Sequence, residues 1–111
     1  MNVRFLTLAQ QEVDEAFIWF DETTDGKGVN FLDELDRVVR LVKAYPLASP
    51  EIEPEIRRCL FARFPYYLVY CTDDETIVII AVANSHREPR YWVDRSANGG
   101  DATQRIWMYW F

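Results

Sequence analysis

His86 is the one histidine in this 111-residue chain, and no other side chain has an unperturbed pKa near neutrality. Arg87 and Arg90 follow it closely, and Arg63 stands further back. A proton-transferring imidazole beside guanidinium groups is equipment for work on an anion. It takes or gives a proton while fixed positive charge steadies the negative charge that develops. Cys59 and Cys71 offer a second kind of chemistry, but their spacing does not match a metal-ligand pair and one histidine does not complete a zinc set. They read as small packed hydrophobes in strand-like segments. Neither a metal nor a cofactor is expected.

Charge narrows the partners. The net charge of −6 argues against a non-specific nucleic-acid binder, which is normally basic. The average hides an asymmetry. Residues 1–56 hold five Lys/Arg against twelve Asp/Glu, whereas residues 57–111 hold seven Arg against six acids. The acidic half reads as solvated helix surface. No apolar run approaches the roughly 18 residues of a spanning helix; the longest, Ile77 to Ala83, is strand-sized. Glu12, Asp14 and Glu15 interrupt any signal-like apolar region. A cytoplasmic protein with one core, making no use of a membrane, is expected.

The elements that would hold these residues follow from periodicity. Val3 to Leu8 reads as a first strand. Thr7 with Gln10 fits an N-cap and its capping-box partner, opening a helix from about Ala9 to Phe20. Ala9, Val13, Ala16, Phe17 and Phe20 recur there at three- and four-residue steps, with Glu12, Asp14 and Glu15 on the opposite side. Asp25-Gly26 and Gly28 break the pattern. A second helix, roughly Val29 to Ala44, buries Phe31, Leu32, Leu35, Val38, Val39 and Val42, and Tyr45-Pro46 stops it. The two helices imply an antiparallel hairpin. Pro46, Pro50 and Pro54 mark residues 46–55 as an extended loop.

The period then changes. Ile56 to Phe64, Tyr66 to Thr72 and Thr76 to Asn84 are aromatic and β-branched, separated by Pro65 and by Asp73-Asp74-Glu75. Thr76 to Ala83 lacks polar alternation, so this strand should be interior and covered on both faces. Pro89 suits the start of a short final helix. The expected fold is α+β: a helical hairpin on one face of a mainly antiparallel four-stranded sheet, in the order β-α-α-β-β-β plus a short C-terminal helix.

These residues, in this order, resemble the ParE/RelE toxin superfamily. Ile56-Arg57-Arg58-Cys59-Leu60 is similar to the family's basic strand entry. Arg63-Phe64-Pro65-Tyr66-Tyr67-Leu68-Val69-Tyr70 looks like its R-F-P-Y hairpin. Ile80-Ala81-Val82-Ala83 with Arg87, Pro89, Trp92 and Arg95 resembles A-V-x-H-x-x-R-x-P-x-x-W. The motif's histidine falls on Asn84 here, and His86 sits two places later. The resemblance covers about residues 1–95.

It implies the toxin of a type II toxin–antitoxin, or plasmid-stabilisation, module, closer to the ParE-like branch. That branch binds and inhibits DNA gyrase and performs no chemistry itself. The RelE branch implies another course, a ribosome-dependent messenger RNA endoribonuclease, in which Arg63, His86, Arg87 and Tyr91 are the candidate catalytic residues. A third is a non-toxic module that only binds an antitoxin. The family further implies an antitoxin docked along the helical hairpin, which would give the off-stripe residues Ile18 and Trp19 a partner, with Arg57 and Arg58 as further partner-binding candidates. Each has a structural reading too. Arg57 and Arg58 can decorate an edge or hold an acid, Arg63 can clamp the hairpin, His86 and Asn84 can complete a turn, and Trp92 can plug the core.

Residues 96–111 lie outside the resemblance. Ser96 to Asp101 reads as a link, and Ile106-Trp107-Met108-Tyr109-Trp110-Phe111 is dense in aromatics. That end is expected to pack back on the domain, with an added edge strand, a homodimer contact or a non-native terminus as alternatives.

Overall fold

A computed structural model describes residues 1–24 and 26–95. The extension at 96–111, and with it the expectation that it folds back, lies outside the described residues. Strand β1 (Asn2–Phe5) leads to helices α1 (Thr7–Thr23) and α2 (Lys27–Ala44). Strands β2 (Glu51–Glu53), β3 (Ile56–Leu60), β4 (Tyr66–Asp73) and β5 (Thr76–Asn84) follow, then a 3-10 turn at Val93–Arg95. The five strands form one sheet in the order β1-β5-β4-β3-β2, with β1 parallel to β5 and every other pair antiparallel.

The fifth strand corrects the expectation of four. Glu51–Glu53 falls in the proline-rich connection, where three prolines signal a loop. Its backbone still reaches β3, with Glu51 opposite Arg57 and Glu53 opposite Ile56. Pro50 and Pro54 flank the strand without interrupting it, which is where a sheet tolerates proline. Arg57 ties the preceding loop down by donating to the carbonyls of Leu47 and Ser49. The Tyr70 hydroxyl donates to the Pro46 carbonyl at 2.7 Å. Pro89 does not open the final helix: the helical element among the described residues is a 3-10 turn at Val93–Arg95.

Strand passes to helix within one residue. The Leu6 N–H donates to the Ile79 carbonyl as a last step of the β1 pairing, and the Leu6 carbonyl already accepts the Gln10 N–H of α1. Leu6 is therefore the cap, and no side chain serves it. Thr7 is the first helical residue rather than the cap, and Gln10 bonds Asp14 instead of closing a capping box.

Gly26 starts α2 from a left-handed conformation, φ 79°, which suits a residue without Cβ. Gly28 does not break the helix. It lies buried inside α2 because the hairpin is tight there: a Cβ at this position would stand 2.8 Å from the Phe17 carbonyl oxygen. Of the stripes expected on the helices, Ala9, Val13, Ala16, Phe31, Leu35, Val38, Val39 and Val42 are buried and Phe17, Phe20 and Leu32 half-buried, and Phe31 sits among Phe20, Phe61, Phe64 and Tyr66 with ring centroids 5.0–5.7 Å away. Pairs of this kind add about 0.5–1.5 kcal/mol each beyond their buried area. Seven consecutive β5 residues, Ile77 to Ala83, are buried, as a strand covered on both faces requires.

Glu34 adds a polar fastening. It is 5% exposed on α2, accepts the backbone N–H groups of Ala62 and Arg63 in the β3–β4 loop, and takes a bidentate approach from Arg37. The Arg37 hydrogen bonds, and then the loop N–H groups, outweigh burial and hold its carboxyl below the usual glutamate range.

Two predictions follow from the hairpin. In an exposed helix Gly28→Ala would gain about 1 kcal/mol; here the clash with Phe17 reverses the sign, and urea denaturation should show a net loss of about 1–3 kcal/mol. Glu34→Gln should cost about 1–3 kcal/mol at neutral pH. Because the folded carboxyl titrates below its unfolded value of about 4.3, its contribution is complete above that value and fades as pH falls through the folded one. The stability gap between wild type and Glu34→Gln should therefore be full at neutral pH and narrow progressively as the pH falls below about 4.3.

Candidate functional site

β1 ends opposite Ile79, so the rest of β5 has no neighbouring strand on that side. A bulge falls at the same place. Val69 pairs with Ala81 and Tyr70 with Ile79, leaving Ile80 as the extra residue. Beyond it, the Ile80 carbonyl and the Val82 N–H lack a strand partner and bond to side chains instead. Glu12 Oε1 accepts the Val82 N–H at 3.0 Å, and Arg95 Nη1 donates to the Ile80 carbonyl at 3.4 Å. The two side chains also hold one another, with guanidinium nitrogens 2.9 and 3.0 Å from the carboxylate oxygens. The pair takes the place of the missing stretch of strand.

The Tyr91 hydroxyl donates to Glu12 Oε2 at 2.6 Å, and Arg87 Nη1 lies 3.7 Å from the same oxygen. The Tyr91 ring has the Arg87 guanidinium 3.8 Å from its centroid and that of Arg95 at 5.0 Å. Four groups thus converge on one carboxylate whose side chain is 10% exposed. Burial first, then the hydrogen bond to Glu12 and its charge, push the Tyr91 hydroxyl far above the usual tyrosine range. It is a hydrogen-bond donor here and a very weak acid.

Above this cluster lies a cleft of about 360 Å³. Glu15, Ala16 and Trp19 of α1 form one wall, Tyr66, Val82 and Asn84 line the sheet side, and Glu12, Arg87 and Tyr91 complete it. Trp19 is 61% exposed and neighbouring Ile18 53%. Tyr66 hydrogen-bonds Asn84, and burial raises its hydroxyl pKa above the ordinary value.

Of the four candidate catalytic residues, Arg87 and Tyr91 come together in this cleft. His86 is exposed in the following turn, its backbone N–H donating to Asn84 Oδ1 at 2.9 Å, and it does not line the cleft. Arg63 stands in the β3–β4 loop with its N–H held by Glu34, and its guanidinium forms no ion pair among the described residues. The partner-binding candidates also part company. Ile18 and Trp19 share the exposed side of α1. Arg57 is half-buried against the 47–49 carbonyls, and Arg58 is exposed over the Tyr67 ring at 5.4 Å. Trp92 is buried in the core.

Periodicity placed Glu12 on the outer side of α1, and that is corrected here. It follows Ala9 by three residues and precedes Ala16 by four, which puts it within the buried stripe. A carboxylate at that spacing was the available signal, since a buried acid requires cations and donors around it. Among the described residues no group of His, Cys, Asp and Glu is arranged to hold a metal ion, and no helix is long and apolar enough to cross a membrane.

No protein-family model matches the chain, and no curated protein matches it. Among solved structures it is similar to a chain of the chromosomal ParDE TA system from P. aeruginosa. The TM-score is 0.61 at 15% identity, over 76% of this chain and 95% of that one. At such identity the likeness is one of fold alone.

Glu12→Gln removes the charge that Arg95, itself 13% exposed, is folded around. We expect it to destabilise the protein by about 3 kcal/mol, the lower end for a broken buried pair, because the cleft admits water. Combining it with Arg95→Met should recover part of that loss. A double-mutant cycle by urea denaturation measures the coupling, and strict additivity of the two substitutions would contradict this account.

Proposed function

We propose that this chain is the ParE-like toxin of a type II toxin–antitoxin module, which arrests growth by binding DNA gyrase in the cytoplasm. A cognate antitoxin silences it by covering the helical hairpin. The observation that carries the reading is the fold likeness to a chain of a ParDE system, reached independently of the motifs in the sequence. Those motifs lie at two connections of the sheet. Arg63-Phe64-Pro65-Tyr66 makes the β3–β4 turn, and Arg87 to Trp92 follows β5.

Action by binding rather than by chemistry is supported by the state of the cleft. Cleavage at a ribose 2'-hydroxyl needs a group free to take up the hydroxyl proton and a cation free to meet the phosphate. Tyr91 is bonded to Glu12 and resists ionisation, and Arg87 shares the same carboxylate. One observation favours the rival, a ribosome-dependent endoribonuclease: Arg87 and Tyr91 do meet at one open cleft.

Antitoxin docking is supported by Ile18 and Trp19, two large apolar side chains left in water on α1. Nothing inside the described domain needs them exposed.

Induced expression should arrest growth, and co-expression of the adjacent gene should relieve the arrest. Purified protein should inhibit gyrase supercoiling. Cleavage of a ribosome-loaded message with supercoiling untouched would replace gyrase by the ribosome, and absence of arrest would leave an inert binding module. Ile18→Asp and Trp19→Asp should each weaken antitoxin binding by about tenfold or more by calorimetry, the usual effect at an interface anchor; unchanged affinity moves the docking surface elsewhere.

A further inference from the structure

α1 carries five Asp/Glu and no Lys or Arg over seventeen residues. Glu12 is used internally. Glu15, Asp21 and Glu22 are exposed and form no ion pair among the described residues. Set among these acids are Ile18 and Trp19, and Trp19 with Glu15, four residues apart and so adjacent on the helix, makes one wall of the cleft. Tyr66 presents a second aromatic group across from them.

The molecule already shows what such a combination holds. Arg87 is pinned between the face of the Tyr91 ring, 3.8 Å away, and the Glu12 carboxylate, 3.7 Å away. A carboxylate beside an aromatic face suits a cation, since the ring's electron-rich face and the anion act on it together. Glu15 and Trp19 offer the same pair of groups at the cleft mouth, open to a partner.

Resting on the antitoxin-docking reading above, we infer that the partner segment lying across α1 is a basic amphipathic one. Its apolar residues seat on Ile18 and Trp19, and an arginine or lysine side chain enters the cleft between Trp19 and Tyr66 to meet Glu15. An acidic segment would face the carboxylates of Glu15, Asp21 and Glu22, and a purely apolar one would leave them unanswered. Charge complementarity therefore selects the occupant as well as speeding its approach.

The test uses the full chain and three synthetic amphipathic helices about four turns long, sharing one leucine stripe and flanked by arginine, by glutamine or by glutamate. Calorimetry should find the arginine helix bound about tenfold or more tighter than the glutamine helix, and the glutamate helix weakest. Glu15→Lys should weaken the arginine helix about tenfold, whereas the same charge change at Glu75→Lys, in the distant β4–β5 turn, should alter it by about twofold at most. Equal effects of those two substitutions would mean mere attraction to a chain of net charge −6 and would overturn the inference. Equal affinity for the arginine and glutamine helices would do the same. In that case, loss of glutamine-helix binding in Ile18→Asp keeps α1 as the docking surface and discards only the cation. If none of the three helices binds, the basic occupant is wrong, while growth arrest and its relief by the neighbouring gene still judge the toxin reading separately.

Discussion

A sheet edge that loses its neighbour halfway along must satisfy its backbone in another way, and here a carboxylate and a guanidinium do it. β1 is only four residues long, and β5 runs on for five more past their last pairing. Buried N–H and C=O groups left without partners each cost on the order of 1–3 kcal/mol. Glu12 and Arg95 meet that requirement from opposite ends of the domain, one from α1 and one from the last described residue. Their mutual pairing makes each tolerable at its depth, since neither charge is buried alone. The early end of β1, the bulge at Ile80 and the return of the C-terminal segment to α1 all meet at this point.

Glu34 does the same work on the other helix. It too is an acid within an apolar stripe, and it too accepts backbone N–H groups from the sheet beneath, those of Ala62 and Arg63. The hairpin is therefore not held to the sheet by hydrophobic burial alone. Apolar contact is non-directional and would allow the helices to slide. Two carboxylates bonded to particular amides fix their register, α1 against β5 and α2 against the β3–β4 turn.

This internal use of charge leaves a marked division outside. Arg57, Arg87, Arg90 and Arg95 are each paired or bonded within the domain. Arg87 and Arg95 stack on Tyr91, so the two groups with most promise for chemistry, Arg87 and Tyr91, form part of the fastening around Glu12. On the outer side of α1, Glu15, Asp21 and Glu22 form no ion pair among the described residues and stand beside exposed Ile18 and Trp19. The cleft belongs to this helical side, because Trp19 and Glu15 form its wall.

The helical hairpin, its two buried stripes and the interior strand at Thr76–Asn84 were legible in the sequence, because apolar spacing of 3.6 or an unbroken β-branched run leaves few alternatives. R-F-P-Y and R-x-P-x-x-W carried the sequence resemblance, and the fold is similar to that of a chain from a ParDE TA system. β2 was not legible, because a three-residue strand between prolines carries no period and exists only because β3 offers an edge. Gly28 read as a helix breaker; its place inside α2 depends on how closely Phe17 approaches, which is a property of two helices together. Glu12 read as a solvated acid, and no local signal marked Glu34 for burial. Local pattern counts a carboxylate as polar and sends it outward, whereas its real position depends on which amides and guanidinium groups distant parts of the chain bring within about 3 Å. The sequence alone determined which surfaces had to be buried, and tertiary structure decided which charges were buried with them.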